Sequence, residues 1–349
     1  QLILEYTLHR TCVGGNKGIQ KDLDDGIDTI GKKMTVCQLY AKQIRHRGNV
    51  RYNTKNGRKR LMKLLEEDKL GGCPIDSVKL SDAKEWAIRM KEKGISYKTI
   101  SNDKRSLKAA FYTAIQDDCI RKNPFDFQLN TVIEDDTEPK VPLTPAQEES
   151  FLSFAQNDKV YQKYYDELII LLGTGLRISE LCGLTDTDIN FENRIINVDH
   201  QLLRSAETGY YIETPKTKSG IRQIPMSEKV YEAFNRVLKR RRGAKAVTID
   251  GYSNFLFLNR DGYPKTATNY DGMFRGHAKK YNKYHEEALP KVMTPHTLRH
   301  TFCTNMANAG MNPKALQYIM GHSNITMTLN YYAHATFDSA KAEMLRIAA

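Results

Sequence analysis

The chain has 349 residues, with 53 lysines and arginines against 41 aspartates and glutamates, a formal charge of +12. That length supports two domains with separate cores, and the basic balance favours a polyanionic partner such as nucleic acid. No apolar run reaches the roughly 18–20 residues that span a bilayer, so no transmembrane helix is expected, and the six cysteines form no C-x-x-C pair, which argues against a zinc ribbon or a disulfide framework.

Taken in chain order, residues 1–33 show a loop-like Cys12-Val13-Gly14-Gly15-Asn16 and little periodicity. The chain begins at Gln1 without Met and reads as a piece of a longer protein. Residues 34–125 read as a helical domain. Thr35 is placed to cap a helix carrying Val36, Leu39, Tyr40 and Ile44, and Leu61, Leu64 and Leu65 mark a second. Ser81 is expected to cap a third, with Ala83, Trp86, Ala87 and Met90 on one face. Ser96 is expected to cap a fourth, with Ile100, Leu107, Ala110, Phe111 and Ala114 at helical spacing. The opposite face of this last helix carries Lys98, Lys104, Arg105 and Lys108, a basic stripe suited to phosphate contacts.

Helical periodicity stops at Asn123-Pro124. The stretch 126–142, with the acidic Glu134-Asp135-Asp136 and prolines at 139 and 142, reads as an extended interdomain linker. The second domain, 143–349, opens on Thr144-Pro145-Ala146-Gln147: an N-cap threonine, proline at the first helical position, and a glutamine able to close a capping box. Helices are expected through Phe154 and from Tyr161 to Leu172. Three strands are expected around Arg194–Val198, Tyr210–Glu213 and Ile221–Pro225, with Lys218-Ser219-Gly220 as the turn of a hairpin joining the last two. After Ser227 the chain is mostly helix, with capped starts at Thr294-Pro295 and Asn312-Pro313.

Five residues of this half form a set: Arg177 in LLGTGLRISELCGL, His296 and Arg299 in TPHTLRHTFCT, and His322 and Tyr331 in IMGHSNITMTLNYYAH. Two guanidiniums, two imidazoles and a phenol suit a phosphodiester: they can neutralise its non-bridging oxygens and attack it with the phenol oxygen. Glu180, three residues after Arg177, can pair with a guanidinium and hold it. His300 invites a metal reading, but H-T-L-R-H lacks the glutamate of H-E-x-x-H, so no metal is expected and His300 is read as a packing residue.

These phrases, together with GKKMTVCQLYAKQ, DDCIRKNPFDF and YIETPKTKSGIRQIPM, resemble the tyrosine recombinases over the chain from about Thr35 to its end, the integrases of Gram-positive conjugative transposons most closely. The resemblance implies a mainly α fold with a small β-sheet. A helical, SAM-like core-binding domain and a mixed α/β catalytic domain would form a C-shaped clamp around DNA. Residues 1–33 would then be the remnant of an N-terminal arm-binding region or its linker helix. It implies cleavage and rejoining through a 3′-phosphotyrosine, with Arg177, Lys216, His296, Arg299, His322 and Tyr331 catalytic and neither metal nor cofactor required.

The family places the nucleophile ten residues after the glycine of the Gly321-His322 pair, at Tyr331; spacing alone leaves Tyr332 open. It gives the general-acid role to the first lysine of PKTK, Lys216, with Lys218 and Arg222 as DNA contacts; spacing again does not choose between the lysines. The implied partners are double-stranded DNA at transposon ends and target sites, three further copies in a DNA-bound tetramer, and an accessory excision or DNA-bending protein. The implied location is the bacterial cytoplasm, at the nucleoid, with no membrane partner. Phe337, Ala340, Met344 and Leu345 mark a tail suited to docking on a neighbouring protomer. A type IB topoisomerase would use nearly the same residues, and a non-catalytic DNA-binding regulator would share only the basic helices.

Overall fold

The computed structural model describes residues 31–48, 50–138, 141–215, 217–241, 247–332 and 344–345. The chain divides into two compact units, Gln1–Glu138 and Pro139–Ala349. Among the described residues the fold is mainly helical, with two small antiparallel sheets, in agreement with the expected fold class.

The first unit is built on four helices. α1 (Val36–His46) starts with a full capping box: the Thr35 hydroxyl accepts from the Gln38 amide at 3.2 Å, and the Gln38 side chain accepts from the Thr35 amide at 2.8 Å. α2 spans Tyr52–Glu66 and α3 spans Leu80–Glu92. The expected cap at Ser81 is displaced, because the Asp82 carboxylate accepts from the Lys79 amide at 2.8 Å and the helix starts there, taking Ser81 into its first turn. α4 (Tyr97–Gln116) follows Ser96 and buries Ile100, Leu107, Ala110, Phe111 and Ala114.

Trp86 and Phe111 close on Phe125, with ring centroids 5.7 and 5.4 Å away. Phe125, Leu129 and Ile133 are all buried in this core, so the first part of the stretch read as an extended linker instead covers the bundle. Asn123 pins the turn, donating to the Lys108 carbonyl at 2.8 Å and accepting from the Phe125 amide at 3.0 Å. Each such buried side chain contributes about 1.5–3 kcal/mol. Irregular spacing hides them from a periodicity search.

The second unit opens with α5 (Pro145–Asn157), capped reciprocally by Thr144 and Gln147 at 3.1 Å in both directions. α6 (Tyr165–Thr174) stops at Gly175, whose φ is +64°. A Cβ there would also lie 2.5 Å from the Phe302 ring, so only glycine fits this tightly packed stop. α7 (Ile178–Gly183) follows at once.

The strands are β1 (Ile189–Asn190), β2 (Ile195–Val198), β3 (Gln201–Ser205), β4 (Gly209–Glu213) and β5 (Arg222–Pro225). β5 pairs with β2, Ile196 opposite Ile224, in a three-stranded sheet of order β1-β2-β5. β4 pairs with β3, Leu203 opposite Tyr211. The hairpin expected between β4 and β5 is therefore absent: the two strands belong to different sheets. Lys218–Gly220 forms a single 3₁₀ turn between them. The missed strand β3 is the reason, since it takes the partner that β5 was expected to have.

α8 (Glu228–Arg241), α9 (Ala267–Tyr284), α10 (Pro295–Asn308), α11 (Pro313–Met320) and α12 (Thr326–Leu329) complete the unit. His277 of α9 is fully buried among Phe151, Phe154 and Tyr161, with ring centroids 4.3, 5.1 and 4.9 Å away. Burial pushes its pKa down to about 4. The folded state then binds fewer protons than the unfolded state between about pH 6.5 and 4, so this contribution to stability is lost as pH falls through that window. His277→Phe is expected to flatten the decline of the melting temperature between pH 7 and 4.5. Parallel melting curves of the two proteins would show that His277 does not carry this acid sensitivity.

Candidate active site

Three arginines converge on the end of α11. The last carbonyls of a helix lack intrahelical partners and carry partial negative charge, so guanidiniums suit them. Arg222 Nε donates to the Ile319 carbonyl at 2.6 Å. Arg299 donates to the Met320 carbonyl through Nη2 and to the Gly175 carbonyl through Nη1 at 2.5 Å. Arg177 Nη2 donates to the Gly321 carbonyl at 3.1 Å. Three consecutive carbonyls thus take three different arginines. Gly321 ends the helix with φ +60°, and His322 follows.

Glu180 ties the set together. Its carboxylate accepts from Arg177 Nη1 at 2.7 Å and from the Arg177 amide at 2.9 Å. It also accepts the Arg222 fork, at 3.1 Å from Nη1 and 2.8 Å from Nη2. Burial pushes the Glu180 carboxyl up, but the Arg222 hydrogen bonds and the charges of Arg222, Arg177 and Arg299 outweigh it and hold its pKa at about 2. Arg299 is almost entirely buried; burial first, then the neighbouring Arg177 and Arg222 charges, push its pKa down to about 9 against the pull of Glu180. With three cations and one carboxylate, the cluster carries a local excess of two positive charges, an environment suited to an anion.

His322 is buried, with Nδ1 3.0 Å from the Thr328 hydroxyl. Burial, then the charges of Arg299, Arg177, Arg222 and His296, push its pKa down to about 4, so its ring is neutral at pH 7. Tyr331 is half-buried in a small cluster with Phe302, Cys303, Leu316 and Met320. Its ring lies 5.0 Å from that of His300, tilted by 54°. Burial pushes its phenol up to about 12, Cys303 adding to the shift and Arg299 opposing it. Tyr332 differs in that its hydroxyl donates to the Met311 carbonyl at 2.5 Å. His296 lies exposed in the first turn of α10, its ring 5.5 Å from His300.

Of the sequence-derived set, Arg177, Arg299 and His322 gather at the end of α11, and Tyr331 packs against α10 beside them. Lys216 lies outside the described residues. Lys218 is exposed on its 3₁₀ turn. Arg222 corrects its assignment as a DNA contact: its side chain has no exposed surface and its donors are spent inside the protein. A signal for this existed in the sequence, because alternation along β5 puts residue 222 on the same inward face as Ile224.

In the first unit, Lys98 and Arg105 are exposed on α4. Lys104 donates to the Phe127 carbonyl and Lys108 pairs with Asp126, each at 2.5 Å; either contact would have to open before the ammonium met a phosphate. Phe337 and Ala340 of the tail lie outside the described residues, and Met344 and Leu345 are exposed.

The phage integrase family matches over residues 142–339. A transposase from transposon Tn916 of Enterococcus faecalis is 68% identical over 341 residues, covering 97% of this chain and 84% of that protein. The tyrosine recombinase XerA of Pyrococcus furiosus is 30% identical over 280 residues, 78% of this chain and 79% of its own. The integrase of transposon Tn1549, solved in complex with a circular intermediate DNA, superposes with a TM-score of 0.86 at 78% identity, over 90% of this chain and 99% of that one.

Proposed function

Since the chain belongs to the phage integrase family of tyrosine recombinases and is a site-specific recombinase that cuts and rejoins DNA, we propose that it excises and integrates a conjugative transposon, with Tyr331 as its nucleophile. The observation that carries this reading is the meeting of Arg177, Arg299 and His322 at the end of α11, with Tyr331 packed alongside. The similar proteins belong to transposons Tn916 and Tn1549, which supports the choice of DNA.

In the proposed reaction the Tyr331 oxygen attacks the scissile phosphorus and gives its proton to solvent water. The bond to the 5′ oxygen breaks, leaving a 3′-phosphotyrosine and a 5′ hydroxyl. Arg177 and Arg299 stabilise the charge that grows on the non-bridging oxygens. His322, neutral and held through Nδ1, addresses the phosphate through Nε2, and His296 assists from the first turn of α10. A partner strand's 5′ hydroxyl reverses the step on a new duplex. Exchange between two duplexes requires four protomers, which the tail after Ala335 would link, with an accessory excision or DNA-bending protein shaping the substrate. Lys98, Lys104, Arg105, Lys108 and Lys218 contact the DNA backbone. Both units, dividing at 138/139, carry DNA contacts in this reading.

The reading is tested with a nicked duplex whose cleavage releases a short fragment and so traps the adduct. A denaturant-resistant complex with the DNA-linked peptide mapped to Tyr331 is expected; no adduct at any tyrosine would overturn it. Exchange of strands between two labelled duplexes separates a recombinase from a topoisomerase.

Lys216, as general acid, protonates the leaving 5′ oxygen. Lys216→Ala is expected to slow cleavage of ordinary DNA far more than cleavage of DNA with a bridging 5′-sulfur, which leaves without a proton. Equal slowing on both substrates would remove Lys216 from the role, and sulfur rescue of Lys218→Ala would transfer it there.

A further inference from the structure

Arg177 does not hold itself in place. Its guanidinium is fixed by Glu180, which is buried. A buried carboxylate is tolerated only when paired, and Arg177 alone, part-exposed and also bonded to the Gly321 carbonyl, is a poor sole partner. Arg222 supplies the other half. Its planar fork faces both Glu180 oxygens, a geometry lysine cannot reproduce. Its remaining bonds reach the Gly220 carbonyl at 3.1 Å and the Ile319 carbonyl at 2.6 Å. One side chain therefore joins the turn before β5, the first turn of α7 and the end of α11. The fit is close: a Cβ on Gly321 would lie 3.1 Å from Arg222 Nη1.

We propose that Arg222 is a positioning residue for strand cleavage: through Glu180 it sets where Arg177 points, and through the Ile319 carbonyl it sets the helix end that carries His322. This rests on the reading of Arg177, Arg299 and His322 as the phosphate-binding set. Without Arg222, Glu180 keeps its charge and has Arg177 as its nearest remaining cation. Arg177 is then drawn inward, away from the phosphate.

The test uses the full chain with Arg222→Gln, Arg222→Lys, and the double variant Arg222→Gln/Glu180→Gln. Single-turnover adduct formation is measured on nicked duplexes carrying either a normal or a methylphosphonate scissile linkage, alongside DNA affinity and melting temperature. Arg222→Gln is expected to slow the normal substrate by about 10²-fold, the scale of one lost preorganised donor, with DNA affinity nearly unchanged. The methylphosphonate, which has lost one charged oxygen, should suffer less. Neutralising Glu180 as well should recover part of the lost rate, and Arg222→Lys should fall between.

A merely structural role predicts equal losses on both substrates and a double variant no faster than Arg222→Gln; either result overturns the proposal, as does a wild-type rate in Arg222→Gln. Should Arg222→Gln fail to fold, Arg222→Lys carries the substrate comparison, and equal losses there count against it. Absence of an adduct in the wild-type protein would instead overturn the recombinase reading beneath it.

Discussion

Tyr331→Phe is expected to abolish the covalent protein–DNA adduct and to leave DNA affinity nearly unchanged. The substitution removes one oxygen and keeps the ring, so the packing against His300 and the cluster of Phe302, Cys303, Leu316 and Met320 persists. The neighbouring phenol is not ready to substitute: the Tyr332 hydroxyl is spent on the Met311 carbonyl, and on a helical turn adjacent side chains diverge by about 100°. Tyr332→Phe is expected to cost about 1 kcal/mol of stability through that lost bond and to keep adduct formation. Adduct in Tyr331→Phe and none in Tyr332→Phe would move the nucleophile by one residue.

Arg299→Ala carries the second large effect, in two currencies. Removing one preorganised donor from a phosphoryl transition state costs about 2.7–4 kcal/mol, or 10²–10³ in the rate of cleavage. The same change strips the Gly175 and Met320 carbonyls of their donor, and each buried acceptor left unsatisfied costs about 1–3 kcal/mol. The variant should therefore melt well below the wild type and cleave slowly even at temperatures where it is folded. Arg299→Lys should rescue little, because a single ammonium cannot serve two divergent carbonyls and a phosphate together. A folded Arg299→Ala protein that cleaves within threefold of the wild type would remove this arginine from the phosphate site.

What was legible in the sequence was mostly local. The cap at Thr35, the capping box at Thr144/Gln147, and the starts at Thr294-Pro295 and Asn312-Pro313 depend on residues at most three apart, and the structure has each of them. The Arg177–Glu180 pair is of the same kind. The failures involve distant partners. β5 pairs with β2 across more than twenty intervening residues, and nothing within YIETPKTKSGIRQIP records that preference. The alternation along β5 marks Arg222 as inward-facing, but its partner, Glu180, lies 42 positions away. Phe125, Leu129 and Ile133 escaped because loop residues can be core without being periodic.

The three arginines are anchored on main-chain oxygens of residues 319–321. Every amino acid carries such an oxygen, so the anchoring is blind to which side chains stand at those positions but sensitive to where the backbone runs. Drift among relatives can therefore replace residues along α11 while the arginine frame survives, whereas inserting or deleting a single residue between Pro313 and Gly321 would rotate the acceptors out of reach of all three guanidiniums at once. Anyone diversifying this enzyme to recognise new DNA should accordingly vary side chains freely on the exposed surfaces and leave the length of α11 alone.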